Sequence, residues 1–333
     1  VNRTLRSFLA VLVATGLAHC SSASDSSPSN PGPGPTPTPT PGSSSLYVAN
    51  EHSITVYALR DGTLLRTLAN GDPYALAFDA AGDLFAANPE ANTVTEYAAG
   101  GTNVVRVITA GLGGPKALAF DGSGNLYVAN NLNRNVTVYA PGSGTVLRTI
   151  SQGVNGPQVL LFDASGNLYV GNDGSNHITV YAPGGSSVIR TIVTHNGPLA
   201  LAFDGSGTLY CVNNFNVTVY GPGDTEPART ITSGISLPST LAIGPSGYLF
   251  VANWSANPFR STIATYAPGS SQPARVLHRG TGYPQSLAFD ATGDLYVANA
   301  AFSTVTEYSA GTLALQRTIS KGLSTPTALA IGP

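Results

Sequence analysis

The residues best equipped for recognition or chemistry are few in this chain and fall in short stretches. Trp254, the only tryptophan, opens Trp254-Ser255-Ala256-Asn257-Pro258-Phe259-Arg260, and Arg279 and Tyr283 follow soon after. Aromatic rings beside guanidinium groups are the chemistry of binding hot spots and of stacking on sugars. Trp254, Phe259, Arg260, Arg279 and Tyr283 are therefore the candidate ligand-binding set; the competing reading is a loop that packs on its own rings. Asp173, His177 and His195 supply a carboxylate and two imidazoles, which are metal-ligating types. They lie in separate polar stretches that impose no ligand spacing, so they stand only as weak metal candidates. No catalytic set converges, and no cofactor motif is present.

Composition narrows the classes of function. The chain has 333 residues, a formal net charge of -2 and 10% charged residues. It has no basic field to condense on phosphates, so nucleic acid is not an expected partner. Gly is abundant at 38 residues, and β-branched residues and Tyr recur throughout, which favours strands joined by tight turns. All-β closed architectures of this length commonly form one unit.

The N-terminal residues read as targeting. Arg3 and Arg6 precede an apolar run from Phe8 to Ala18, the pattern of an export signal over residues 1–20, too short to span a bilayer comfortably. Leu17-Ala18-His19-Cys20 resembles the bacterial lipobox, although His19 replaces the small residue expected before the cysteine. That resemblance implies lipidation at Cys20 and membrane contact through that anchor alone, placing the protein on an outer surface or in the periplasm. Cleavage near Ser22-Ala23-Ser24 would instead release a secreted protein. Residues 21–45 are rich in Ser, Pro, Gly and Thr, with Pro at near-alternate positions from Pro31 to Pro41. Alternating Pro favours polyproline II at about 3.1 Å per residue, so this segment is expected to be a disordered stalk of roughly 50–80 Å.

The order that must position the candidate residues comes from internal repetition. The pentad Leu46-Tyr47-Val48-Ala49-Asn50 returns at Leu84, Leu126, Leu168, Leu209, Leu249 and Leu295. Each full copy reads Pro-x-Ala-Leu-Ala-Phe-Asp, a Gly turn, the pentad, a polar loop, Val-Thr-Val-Tyr, a second turn and Leu-Arg-Thr-Ile. Four short strands in forty-odd residues is the period of a propeller blade, whose two apolar faces only neighbouring blades can cover. The repeat region opens on a second strand and ends on a solitary first strand, Pro326–Ile331. The expectation is an all-β, seven-bladed β-propeller over residues 46–333, its ring closed by one C-terminal plus three N-terminal strands. These units resemble NHL repeats and the related YVTN-type propeller repeats of bacterial surface proteins. The resemblance implies the fold and leaves function open, because such families include binding and enzymatic members.

Repetition also separates scaffold from site. Arg66, Arg106, Arg148, Arg190, Arg229, Arg275 and Arg317 fall at one place in the outer strand, which suits locally paired rim residues. Tyr57, Tyr97, Tyr139, Tyr181, Tyr220, Tyr266 and Tyr308 suit inter-blade packing with a hydroxyl that reaches a partner. Asp79, Asp121, Asp163, Asp204 and Asp290 open Asp-x-x-Gly turns, and the pentad Asn is expected to cap the following loop. Cys211 stands where other repeats hold Val or Ala and reads as a buried thiol. Function belongs where repeats disagree, and the longest interval between pentads contains Trp254. The leading expectation is a non-enzymatic binding module that presents a loop face to an extracellular protein, peptide or glycan. The alternative is a metal-dependent hydrolase or lyase at the mouth of the central channel, where Tyr74, Lys116, Gln158, Leu199, Ser239, Gln285 and Thr327 are the variable positions.

Overall fold

The computed structural model of the chain describes residues 44–69 and 71–333. The expected export signal, Cys20 and nearly all of the expected stalk lie outside the described residues. The rest forms seven four-stranded antiparallel sheets. Blade 3 shows the pattern, with Pro115–Phe120, Leu126–Asn130, Asn135–Tyr139 and Val146–Ile150 paired in chain order. Its second strand is buried at every position, while its outer strand buries only Ile150. Side chains on a strand alternate between two faces, so full burial requires a neighbour on each face. Adjacent blades supply both.

The first strands of successive blades contact one another in a closed ring about the axis. Closure comes from Ala328–Gly332, which pairs with Ser45–Ala49 to complete blade 1. Thr327 N–H donates to Ala49 O at 2.9 Å, so the last strand begins two residues later than the repeat suggested and ends at Gly332. The seven-bladed propeller and its mixed first blade are as expected.

A second ring of bonds ties the blades together. The Tyr that ends each third strand donates its hydroxyl to a backbone carbonyl of the preceding blade's exit loop. Examples are Tyr97 to Ala69 O at 2.7 Å, Tyr181 to Gln152 O at 2.6 Å and Tyr220 to Val193 O at 2.8 Å. The series closes with Tyr57 on Lys321 O at 2.6 Å and Tyr308 on Arg279 O. Desolvation pushes the phenols of Tyr57, Tyr139, Tyr181, Tyr220, Tyr266 and Tyr308 upward, Tyr266 to about 12, so these remain donors across the working range of pH. Five seams add an edge-to-face contact between a second-strand ring and the next blade's first-strand Phe, as in Tyr127–Phe162 at 5.1 Å. Each such pair contributes about 0.5–1.5 kcal/mol beyond area burial.

The recurrent Arg residues are spent within or between blades. Arg66 and Arg148 bond the phenols of Tyr47 and Tyr127 at 2.7 and 2.8 Å, and Arg190 bonds Tyr169. In blade 2 that phenol is replaced by Phe85, and Arg106 pairs with buried Glu96. Arg317 pairs with Glu307, while Arg229 and Arg275 reach backbone carbonyls of the next blade. Burial pushes the Glu96 carboxyl above its usual range, with Arg106 opposing the shift. Each Asp of the Asp-x-x-Gly turns accepts two backbone N–H bonds, Asp121 from Ser123 and Asn125 at 2.9 Å each.

The ring predicts its own failure mode. The chain lacking residues 324–333 should lose cooperative thermal unfolding, because the innermost strand of blade 1 is removed and an inner edge is exposed. An unchanged melting curve contradicts the closure. Replacing Tyr97 by Phe should cost about 1 kcal/mol in denaturant unfolding by leaving a carbonyl without its donor.

Candidate functional site

Loops entering a first strand and loops joining second to third strands emerge on one face, called the upper face below. Their backbones are cross-linked within blades 3, 4 and 6: Asn131 N–H donates to Gly114 O, Asp173 to Gly156 O and Trp254 to Leu237 O, at 2.9 to 3.1 Å. The pentad Asn fixes this arrangement. Asn172 Nδ2 donates to Val170 O and to Thr179 Oγ1, while its Oδ1 accepts from Asn155 N–H. The side chain therefore holds the loop that enters its blade against the second and third strands.

Blade 6 departs from this frame where the pentad interval is longest. Pro258–Arg260 form one 3-10 turn, started by Asn257, whose side chain accepts from Phe259 N–H. Trp254 and Tyr283 come together at 5.0 Å between ring centroids with their planes tilted by 35°. The Tyr283 hydroxyl donates to Ala256 O at 3.0 Å, which pins the turn to the ring. Phe259 pairs with Phe302 of blade 7 at 5.1 Å, yet it remains 76% exposed. Phe302 itself lies over the backbone of Gly282, where a Cβ would fall 2.4 Å from the ring. Arg260 and Arg279 are exposed and have no side-chain hydrogen bond or ion pair among the described residues. Trp254 and Tyr283 thus pack on each other, while Phe259, Arg260 and Arg279 are exposed.

Backbone conformation marks the same sector. In blades 3 and 4 the residue before the first-strand proline is Gly114 or Gly156, with φ of 60° and 61°. Blades 6, 7 and 1 adopt the same left-handed conformation with Leu237, Tyr283 and Thr325, at φ of 47°, 52° and 46°. An L-residue there costs roughly 1–2 kcal/mol, and a following proline disfavours helical backbone as well. The scaffold holds these positions from the preceding blade: Ser261 Oγ accepts from Tyr283 N–H at 3.3 Å, and Ser303 Oγ accepts from Thr325 N–H at 3.2 Å. Strain of this kind persists where its surroundings over-determine it, and it clusters at ligand sites.

The channel mouth carries a second set of variable residues. In blades 3 to 7 the residue after the proline is the extra residue of a β-bulge: Lys116, Gln158, Leu199, Ser239 and Gln285. A bulge on the innermost strand re-aims its extra side chain. Ser239 Oγ bonds Pro284 O of the next blade at 2.7 Å, and Thr327 Oγ1 bonds Pro73 O at 3.1 Å. The Lys116 ammonium sits 3.8 Å from the Tyr74 ring centroid. Gln285 is 6% exposed, and its Oε1 has no hydrogen-bond partner.

Asp173, His177 and His195 go separate ways. His177 Nδ1 contacts Ser175 O, and His195 Nε2 lies 3.7 Å from Glu226 in an exposed pair. Among the described residues no three His, Cys, Asp or Glu side chains form a metal-holding group. Cys211 is fully buried, and burial pushes its thiol far up. Phe302, Leu237, Thr325 and Gln285 join the uneven sector without having been singled out as ligand contacts. Aligning the repeats by the proline exposes Leu237, Tyr283 and Thr325 as departures from Gly.

No protein-family profile matches the chain, and no curated protein does. Solved structures do. A candidate 6-phosphogluconolactonase from Bacteroides fragilis is similar at TM-score 0.71 and 15% identity, covering 89% of this chain and 99% of that one. A second candidate 6-phosphogluconolactonase, from Bacteroides uniformis, gives 0.70 and 15%, with 87% and 99% covered. Hydrazine synthase of Kuenenia stuttgartiensis gives 0.65 and 19%, with 77% and 88% covered. At these identities the likeness is one of fold.

Two outcomes test the assignment of scaffold and site. Leu237→Gly and Thr325→Gly should leave unfolding free energy equal or higher, since relief of about 1–2 kcal/mol of strain offsets glycine's entropic cost of roughly 0.5–1 kcal/mol. A loss above about 2 kcal/mol makes those side chains structural. Cys211 should resist iodoacetamide in the native protein and react fully in denaturant, read by mass spectrometry; native labelling contradicts the buried thiol.

Proposed function

We propose that the protein is a non-enzymatic binding module that presents the upper face of blades 6, 7 and 1 to an extracellular partner. The observation that carries this reading is Tyr283, a tyrosine kept in strained left-handed backbone where blades 3 and 4 use glycine. Its ring supports Trp254 and its hydroxyl holds the turn that projects Phe259 and Arg260. Pre-organised aromatic and Arg groups of this kind bind at reduced entropic cost. The export signal, Cys20 and Pro-rich stalk suit display away from a surface, by lipid anchor or in secreted form.

The alternative, a hydrolase or lyase at the channel mouth, draws on the names carried by structural neighbours. The bulged positions and their equivalents offer Tyr74, Lys116, two Gln, Ser239 and Thr327, with no carboxylate or imidazole to move a proton near neutral pH. The binding reading predicts that added protein leaves the hydrolysis of 6-phosphogluconolactone at its spontaneous rate; saturable acceleration overturns it.

The site itself is tested by the triple variant Trp254→Ala, Phe259→Ala, Arg260→Ala. Capture of the partner obtained with the parent protein should fall by at least about tenfold, or 1.4 kcal/mol. The change in unfolding free energy should be much smaller than that of Tyr97→Phe summed over several seams. Collapse of the melting transition with capture intact per folded molecule assigns these residues to structure.

A further inference from the structure

We infer that the upper face of blades 6, 7 and 1 is a site for an anionic saccharide, an inference that rests on the binding-module reading above and names its ligand class. Charge sign is the first observation. The upper-face loops 232–237, 254–261, 278–283, 300–303 and 320–327 contain Arg260, Arg279, Lys321 and His278 and no Asp or Glu. Glu51, on the blade 1 loop beside Ser324, is the one carboxylate of this sector's upper-face loops, and Asp72, Glu90 and Asp173 belong to other blades. The protein as a whole is slightly acidic, so this cationic sector is a local feature. It favours a carboxylate or sulfate.

The rings give the second observation. Trp254 on Tyr283 and Phe259 on Phe302 form two tilted pairs at 5.0 and 5.1 Å, each bridging separate loops. Polar residues Ser255 and Asn257 separate them, so the surface is not one continuous apolar patch of the kind that anchors a protein partner. Stiff rings with polar gaps fit a ligand that alternates C–H faces with hydroxyls.

The third observation is an unanswered acceptor. Gln285 follows Tyr283 by two residues, is the extra residue of its bulge, and keeps Oε1 without a partner at 6% exposure. A buried acceptor left unpaired is destabilising, and a donating ligand hydroxyl removes that penalty. Leu237, 45% exposed, and Thr325 flank this point in the same strained conformation as Tyr283. The sector thus offers guanidinium groups for acid, rings for C–H faces and an acceptor for a hydroxyl.

The test uses the full chain in titration calorimetry against oligogalacturonate, oligoalginate and chondroitin sulfate fragments, their neutral counterparts, and a Glu-rich peptide of equal charge. The inference expects binding of at least one acidic saccharide, weakened by added salt and at least about tenfold tighter than to its neutral counterpart. Tyr283→Gly and Gln285→Leu should each reduce that affinity about tenfold or more while the melting transition stays cooperative. Arg260→Ala with Arg279→Ala should bring acidic and neutral affinities together. If only the peptide binds and the triple variant abolishes it, the saccharide inference falls and the binding-module reading stands. If saccharide binds but ignores all of these substitutions, this site is wrong. If nothing binds to folded protein, both readings fall.

Discussion

Everything in this structure depends on pairing Ala328–Gly332 with Ser45–Ala49. A row of twisted sheets has two open ends, each with a buried apolar face that lacks a neighbour, and only closure removes both. The five paired positions of this seam, backed by Tyr47 on Pro333 O, join chain segments nearly 290 residues apart. Once the ring is closed, each Tyr hydroxyl finds the preceding blade's carbonyl and each second strand finds cover on both faces. The stability of any one blade is then a property of the ring.

A repeated scaffold also provides its own reference state. Where blades agree, the common side chain has a structural partner: the Tyr on a carbonyl, the Asp on a turn, the Arg on a phenol, a carboxylate or a carbonyl. Where they disagree, a cost is visible against the other copies. Leu237, Tyr283 and Thr325 hold a conformation that Gly114 and Gly156 adopt without strain, and Gln285 keeps a buried acceptor unpaired. Both departures fall on the sector that carries Trp254 and the unpaired Arg260 and Arg279. The coincidence of strain, orphaned polarity and unpaired charge is what distinguishes this sector from the rest of a ring built on the same plan.

The period, the blade count and the closing strand were legible because they are written in residue type and spacing. Trp254 and Tyr283 were expected to meet, and they do, because the blade 6 loop that carries Trp254 lies beside the loop entering blade 7, whose Tyr283 hydroxyl bonds Ala256 O. Less visible was the pairing of Phe259 with Phe302, since it depends on Gly282 leaving room beneath that ring. Backbone sign at Leu237, Tyr283 and Thr325 is equally hidden, for no side-chain pattern announces left-handed φ at a non-Gly residue. The His177 and His195 pair shows the opposite limit: metal-ligating types in neighbouring loops acquire direction only from the fold, and here it sends them apart. Glu96 and Glu307 replace an apolar residue of the third strand, a change that makes sense only once the outer-strand Arg is seen beside them.

Amide hydrogen exchange with and without bound oligosaccharide addresses the central claim most directly, because it reads every loop of the ring at once. The account predicts new protection confined to the upper-face loops 232–237, 254–261, 278–283, 300–303 and 320–327, with the Asp-x-x-Gly turns of the opposite face unchanged. Protection at those turns, or spread evenly over all seven blades, would contradict it.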